Sequence, residues 1–308
     1  MLPAVVYGVF LAISFKRFSN LNCLYTIFLQ SIIPTITAYA YSFIQLSGLF
    51  DFTIGSRIII SGLMGGIMAN QFGFAGLIAG TLITSVAIAA VTGLLNWVCK
   101  IPSLILTMAL TMIYEIIGKN ISGKFSFVSI DYKYATLGYA PYIIIVLIAS
   151  AFLFYFIFTY TKFSYHMRAI GSNEPVAKNA GANTNVVKLM CFVAGSIFVA
   201  ISAILTISQS GSMGAQVNLG SSTLLFKPLM GIIIAIALQP ICNLTIGIFI
   251  SQFTLNTIFI GLIAAGFPDT SQNIVLGVFL LIVMVFSEHI DKIKIKAFSK
   301  GGKPVSLS

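Results

Sequence analysis

Apolar residues fall in long blocks, at about 2–15, 24–49, 57–71, 73–98, 101–117, 141–160, 186–208, 225–242, 244–265 and 274–288. A helix needs about 20 predominantly apolar residues to cross roughly 30 Å of hydrocarbon. The pattern predicts an all-α, polytopic membrane protein with about ten transmembrane or broken helices. It reads as one transmembrane domain over 1–308. Several runs are shorter than a full span and are interrupted by Gly or Pro, as re-entrant or broken helices are.

The longest internal polar stretch runs from Thr161 to Asn185 and holds Lys162, His166, Arg168, Glu174 and Lys178, with Lys188 just beyond. The tail, 289–308, adds Lys292, Lys294, Lys296, Lys300 and Lys303. Basic connections gather on the cytoplasmic side of membranes, so both are placed there. Four segments separate them, which agrees. Six segments precede the first stretch, so the N-terminus is expected in the cytoplasm as well. Loop 118–140 is expected outside, and so are Lys16 and Arg17, against the charge rule. The apolar run before Lys16 lacks the leading charges and small-residue site of a cleaved signal, and reads as a short first span.

A weak internal repeat is visible. Residues 73–98 and 244–265 each follow a Gly- or Pro-broken apolar run and precede a turn and another run. Transporters built from two related halves place the substrate path between them.

Composition sharpens this picture. The set AVILMFWYC makes up 58% of the 308 residues and charged residues only 8%. Soluble domains carry about 25% charged residues. Mean hydropathy is +1.02. A soluble enzyme, a disordered chain and a disulfide-built domain are excluded. No room is left for a soluble motor domain, so energy must come from an ion gradient or from another chain. The net charge of +10 fits cytoplasmic loops better than nucleic acid. Cys23, Cys99, Cys191 and Cys242 show no CxxC spacing and read as small buried hydrophobes.

Two segments carry candidate chemistry. The first is Gly48-Leu49-Phe50-Asp51-Phe52-Thr53-Ile54-Gly55-Ser56-Arg57. An ionisable residue between two glycines at membrane depth suggests irregular backbone beside a cavity, with Asp51, Phe52, Thr53 and Gly55 on a translocation path. The plain alternative is a loop whose Asp caps the next helix. The second is TKFSYHMRAIGSNEPVAKNAGANTNVVK at 161–188. Asn173 as N-cap, Pro175 at N1 and Gly181 past the end predict a short helix at about 174–180. It suits docking into a groove on a partner, or it is a solvated loop.

Other polar residues are less telling. Glu115 reads as lying toward the outer end of its run. Gln30, Gln239, Asn243, Gln252 and Asn256 can bond between helices. The GxxxG pairs Gly62/Gly66 and Gly76/Gly80 suggest close helix packing. His166 and His289 sit in basic stretches. No P-loop, nucleophile elbow, HExxH or metal-ligand spacing occurs, so no catalytic or metal residue is expected.

Residues 48–56 and RAIGSNEPVAKNAGA at 168–182 resemble the ribose-type and branched-chain amino acid permease subunits of ABC importers. That family's motifs read approximately GGIDLSVG and RAIGGNEEAARLSGI. Asp51, Gly55, Arg168, Ala169, Ile170, Gly171, Asn173, Glu174, Ala177 and Gly181 fall in matching places over a resemblance spanning about 18–290. The resemblance implies a permease dimer with an identical or paralogous copy. It also implies cytoplasmic ATPase subunits that carry ATP and Mg, an extracytoplasmic binding protein, and a multi-pass chain in the cell (inner) membrane. It casts Arg168, Gly171, Asn173, Glu174, Ala177 and Gly181 as the ATPase-coupling residues. Departures are Leu49 for a family Gly, Ser172 and Pro175 in the loop, and 231–243 (GIIIAIALQPICN) where a Gly-rich GGTSLxGG is usual.

Three functions stay open on these residues. The first is a permease for a small solute, a sugar on the ribose-type matches, with nucleosides and branched-chain amino acids as alternatives. The second is an ion-coupled carrier, although no span holds the paired carboxylates that ion coupling favours. The third is a membrane scaffold or enzyme subunit.

Overall fold

The computed structural model describes residues 2–13, 18, 20–239 and 242–267, with isolated positions 274, 277, 278 and 281. The apolar runs become helices because lipid offers no partner for backbone N–H and C=O groups. In chain order these are α1 Leu2–Ile13, α2 Leu21–Gln45, α3 Ile54–Cys99, α4 Ser103–Ser122, α5 Tyr142–Tyr160, α6 Lys162–Ser172, α7 Glu174–Asn179, α8 Thr184–Ser210, α9 Thr223–Leu238 and α10 Leu244–Ala264. Seven of them, α2 to α5 and α8 to α10, are long and apolar enough to cross a membrane. The expected tenth segment lies outside the described residues apart from its isolated positions. So do Lys16, Arg17, His289 and the tail. Helix α1 has 12 residues, about 18 Å of rise, which is short for a span on its own.

Helix α3 is two spans. Straight, its 46 residues would extend about 69 Å, twice what the hydrocarbon needs. At Gly73 the backbone takes φ +68° and ψ −149°, a conformation that favours glycine. The chain then doubles back. A Cβ on Gly65 would lie 2.2 Å from the Thr81 side chain, and one on Gly76 would lie 2.1 Å from the Met68 carbonyl. The arms 54–72 and 74–99 therefore pack as an antiparallel hairpin. The Gly76/Gly80 pair serves that hairpin. Gly62 and Gly66 instead admit Met213 and Ile207 from later in the chain.

The two halves are related with opposite sense. Helices α2 and α8 run antiparallel, with the Thr37 and Ser202 hydroxyls 2.7 Å apart and Gly195 closed on the Ala40 carbonyl. Ser85 donates to the Ser196 carbonyl at 2.8 Å, which sets the second arm of α3 against α8. Tyr39 donates to the Thr245 carbonyl at 3.1 Å, and the Asn256 amide donates to Ser31 at 3.0 Å, so α10 runs against α2. Each half reads helix, irregular segment, helix, reversed helix. The irregular segments are 46–53 and 211–222. They enter from opposite membrane faces, and the sequence repeat of 73–98 with 244–265 pairs the reversed helices of the two halves.

A ring stack ties α2, α5 and α8 together. Tyr39 and Phe154 stack at 4.5 Å, and Phe43 and Phe198 at 5.8 Å. On the face opposite α6 and α7, strands β1 Phe127–Ser129 and β2 Ser212–Gly214 pair antiparallel. Among the described residues this is the only sheet. The face bearing α6 and α7 is called proximal below, and the β1–β2 face distal.

Candidate functional site

The two irregular segments meet inside the bundle. A Cβ on Gly55 would lie 2.0 Å from the Ser221 carbonyl, so only glycine permits this approach. Phe52 and Phe226 meet edge to face at 6.2 Å. The starts of α3 and α9 thus face each other at membrane depth, as broken helices do around a transport path.

Backbone in such segments has to find partners, and α4 supplies them. Its polar residues Ser103, Thr107, Thr111 and Glu115 recur every fourth position and share one face. The Phe50 N–H donates to Ser103 Oγ at 2.9 Å and the Phe52 N–H to Thr107 Oγ1 at 3.0 Å. From the other side, the Leu219 N–H donates to Glu115 Oε2 at 2.8 Å. The Ser221 N–H and hydroxyl donate to Oε1 at 2.9 and 2.6 Å. Glu115 is buried, about 18 Å along α4 from Ser103. It lies past the middle of α4 toward the distal end, in keeping with its place in the apolar run, yet it is enclosed by the 219–221 segment. Only Glu115 of this stripe was singled out in the sequence; the four-residue period was the signal that could have found the rest, and the partners of Glu115 lie a hundred residues away.

Asp51 holds the first segment. Its Oδ1 accepts from the Thr53 N–H at 2.8 Å and from the Thr53 hydroxyl at 2.5 Å. Its Oδ2 pairs with Arg57 Nη1 at 2.8 Å, and both side chains are fully buried. Thr53 is the N-cap of α3, without a side-chain cap bond, so Asp51 is not an ordinary helix cap. The Arg57 Nε and Nη2 atoms have no acceptor.

Between the halves lies a cavity of about 100 Å³. Hydroxyls of Thr37, Ser202, Thr206 and Thr223 line it together with Lys227 and apolar Ile33, Pro34 and Ile58. The Lys227 ammonium lies 4.7 Å from the Phe259 ring centre. The Gln252 amide donates to the Lys227 and Pro228 carbonyls at 3.2 and 3.3 Å, in space left open by Gly231. Asp51, Phe52, Thr53 and Gly55 do not line this cavity; they shape the helix start beside it. Lys227 and the hydroxyls were not singled out in the sequence, because single polar residues within apolar runs carry no motif.

On the proximal face, the short helix falls where the sequence placed it. Asn173 Oδ1 accepts from the Val176 N–H at 3.2 Å, and Gly181 follows the helix with φ +90°. Glu174 occupies N1, so Pro175 is at N2 rather than N1. Ala177 is buried against Ile170 and Ala182, which fixes α7 to its neighbours. Glu174 pairs with Lys188 of α8 at 2.6 Å. Arg168 is exposed, with its guanidinium 5.0 Å from the Phe158 ring centre. Val176 is 62% exposed and Tyr165 70%. Gly171 reaches deepest: a Cβ there would lie 2.0 Å from the Leu46 carbonyl. The end of α6 therefore rests on the residues that open the 46–53 segment. His166 is exposed. Of the cysteines, Cys191 is buried, Cys23 and Cys242 are half-buried, and Cys99 is exposed, contrary to the expectation that all four are core residues. Among the described residues, no group of three metal-ligating side chains occurs.

Comparison with known proteins agrees with this architecture. The chain is 22% identical to the D-allose transport system permease protein AlsC of Escherichia coli (strain K12) over 71% of its length and 70% of that protein. It is 21% identical to the galactofuranose transporter permease protein YtfT of the same organism, over 81% of its length and 75% of that protein. No solved structure matches it. The model of one family, described as branched-chain amino acid transport system / permease component, matches residues 23–284. With that match, an inverted pair of halves and a membrane-depth contact between their irregular segments, the chain belongs to this permease family of ABC importers.

Proposed function

We propose that this chain forms the transmembrane path of an ATP-driven sugar importer. The observation that carries the reading is the membrane-depth meeting of two inverted halves, with Gly55 closed on the Ser221 carbonyl, in a chain of this permease family. The permease relatives for allose and galactofuranose point the same way. At about 100 Å³ the cavity between the halves has room for a few waters, so a sugar requires the halves to separate. Ion coupling is less favoured, because both membrane-depth carboxylates are already engaged, Asp51 by Arg57 and Glu115 by the 219–221 segment.

The proximal face is the cytoplasmic one on this reading. Lys100, Lys162, Arg168, Lys178 and Lys188 lie there. The α6–α7 unit meets the ATPase subunits, which carry ATP and Mg. Motion of α7 passes through Gly171 to Leu46, then to the 46–53 segment, Asp51 and the start of α3. A second copy or a paralogue completes the dimer, and a binding protein delivers the sugar on the distal side. The membrane is the cell (inner) membrane.

Three variants have expected outcomes. Val176→Glu changes an exposed apolar side chain on α7 that belongs to none of the buried clusters. It should abolish ATP-dependent uptake while the purified chain keeps its melting temperature; normal uptake would remove α7 from the docking surface. Glu174→Arg should also fail, but it breaks the Lys188 pair too, so Val176 is the cleaner probe. Gly171→Ala should cost about 1–3 kcal/mol through overpacking against Leu46. Its ATPase should still bind, with ATP hydrolysis no longer linked to uptake. Unchanged coupling would break the proposed relay.

The function itself is tested by gentle detergent pull-down of the tagged chain from its native membranes, followed by mass spectrometry. A stoichiometric ATPase subunit is expected, and any binding protein recovered is screened against monosaccharides, nucleosides and amino acids. A chain that comes alone, under conditions that preserve a control ABC complex, would overturn the proposal in favour of a secondary carrier.

A further inference from the structure

A second cavity, larger than the one between the halves, opens at the proximal face between the C-terminal end of α3 and the starts of α4 and α8, and holds about 570 Å³. Lys100 and Lys188 line it, with Asn96, Asn185 and Ser103. No carboxylate is among its lining residues; the nearest engaged one is Glu174, bound to Lys188. The Asn96 amide nitrogen is buried and has no acceptor. The first turn of α4 borders the cavity, and its N-cap residue, Pro102, offers no side-chain acceptor. The unpaired Lys100 ammonium, beside a Lys188 that Glu174 already holds, and a helix start favour one kind of occupant, an anion rich in acceptor oxygens. The rim is apolar. Trp97, the single tryptophan of the chain, lines the cavity with Ile101 and Leu104, and all three are exposed. An aromatic ring at that level belongs to the headgroup zone of a bilayer.

We propose that this cavity binds the phosphate of an anionic phospholipid, with its acyl chains leaving past Trp97, Ile101 and Leu104. Basic pockets between helices at a membrane surface are suited to such headgroups. A free phosphate would satisfy the donors but leave the apolar rim unused. Gly48 and Leu49 also line the cavity, and Ser103 holds the Phe50 N–H, so a bound headgroup would brace the start of the 46–53 segment. This site does not depend on the sugar reading.

The test is native mass spectrometry of the purified full chain in detergent with equimolar phosphatidylglycerol and phosphatidylcholine. Wild type should retain phosphatidylglycerol preferentially. Lys100→Gln, at an exposed position that carries no internal contact, should lose about fivefold of that preference, the worth of one lysine near a membrane surface. Lys162→Gln, basic and exposed on the same face but outside the cavity, should keep it. Equal retention of both lipids by wild type would overturn the proposal. So would full preference in Lys100→Gln, or equal loss in both variants, which would mean diffuse surface charge. Displacement of the lipid by millimolar inorganic phosphate would assign the cavity to a free anion instead.

Discussion

Glu115→Ala is expected to leave a chain that barely folds. The carboxylate accepts three hydrogen bonds from the 219–221 segment, at 2.6 to 2.9 Å, in a place without water access. Losing an acceptor of this kind costs about 1–3 kcal/mol for each donor left buried. A second cost adds to it. Asn218 and Leu219 both hold positive φ, 57° and 61°, which non-glycine residues adopt only when surroundings force them. Glu115 supplies that force. It also sits at the start of α9, where a negative charge is favoured. The total rivals the whole stability of an ordinary domain, about 5–15 kcal/mol. Glu115→Gln should be intermediate, because its carbonyl can still accept from Ser221 while its amide faces the Leu219 N–H donor to donor. Thermal unfolding in detergent should rank wild type above Gln and Gln above Ala. A melting temperature within a degree of wild type for the Ala variant would show that the segment is held by something else.

The same residue shows where sequence reading stops. The four-residue period of Ser103, Thr107, Thr111 and Glu115 marks a polar face on α4 that went unread, with only Glu115 singled out. What that face meets is not legible at all, because backbone donors leave no trace in side-chain chemistry. The short helix at 174–179 was readable to within a residue, because its cap, first turn and terminal glycine all act locally. The apolar runs gave the spans for the same reason, since hydrocarbon thickness sets their length. The reversal at Gly73 was readable, since 57–71 and 73–98 stand as separate apolar runs each counted as a crossing, but the close packing of the two arms through Gly65, Gly76 and Gly80 was not. Hydropathy has no direction, so the repeat was visible and its inverted sense was not. Lys227 was passed over because a lone ammonium between Phe226 and Pro228 resembles no motif, and only the approach of α2 and α8 places hydroxyls around it.

Asp51 presents the sharper choice, because two readings of it predict different numbers. As a helix-capping or turn residue it would tolerate Asn, which caps as well as Asp, and would lose about 1 kcal/mol as Ala. As the partner of a fully buried Arg57 it would tolerate neither. Breaking such a pair by removing one charge costs about 3–5 kcal/mol, since the other charge stays in a medium that cannot solvate it. The Arg57 Nε and Nη2 atoms already lack acceptors, so nothing nearby can take up the loss. Asp51→Asn keeps an oxygen for the Thr53 N–H and removes only the charge. We therefore expect Asp51→Asn and Asp51→Ala to fall together, each well below wild type in melting temperature. The double variant Asp51→Ala/Arg57→Met removes both charges and should recover most of the stability, as apolar replacements of buried pairs do. It should not recover uptake, because the turn at Thr53 that aims the start of α3 at Ser221 is lost with Oδ1. A wild-type-like Asp51→Asn would return Asp51 to the role of a simple turn residue. A double variant no more stable than Asp51→Ala would assign the whole cost to the turn. The expected split, with stability following the charge pair and transport following the turn, is what a residue does when it both closes a buried charge and sets the angle of a broken helix.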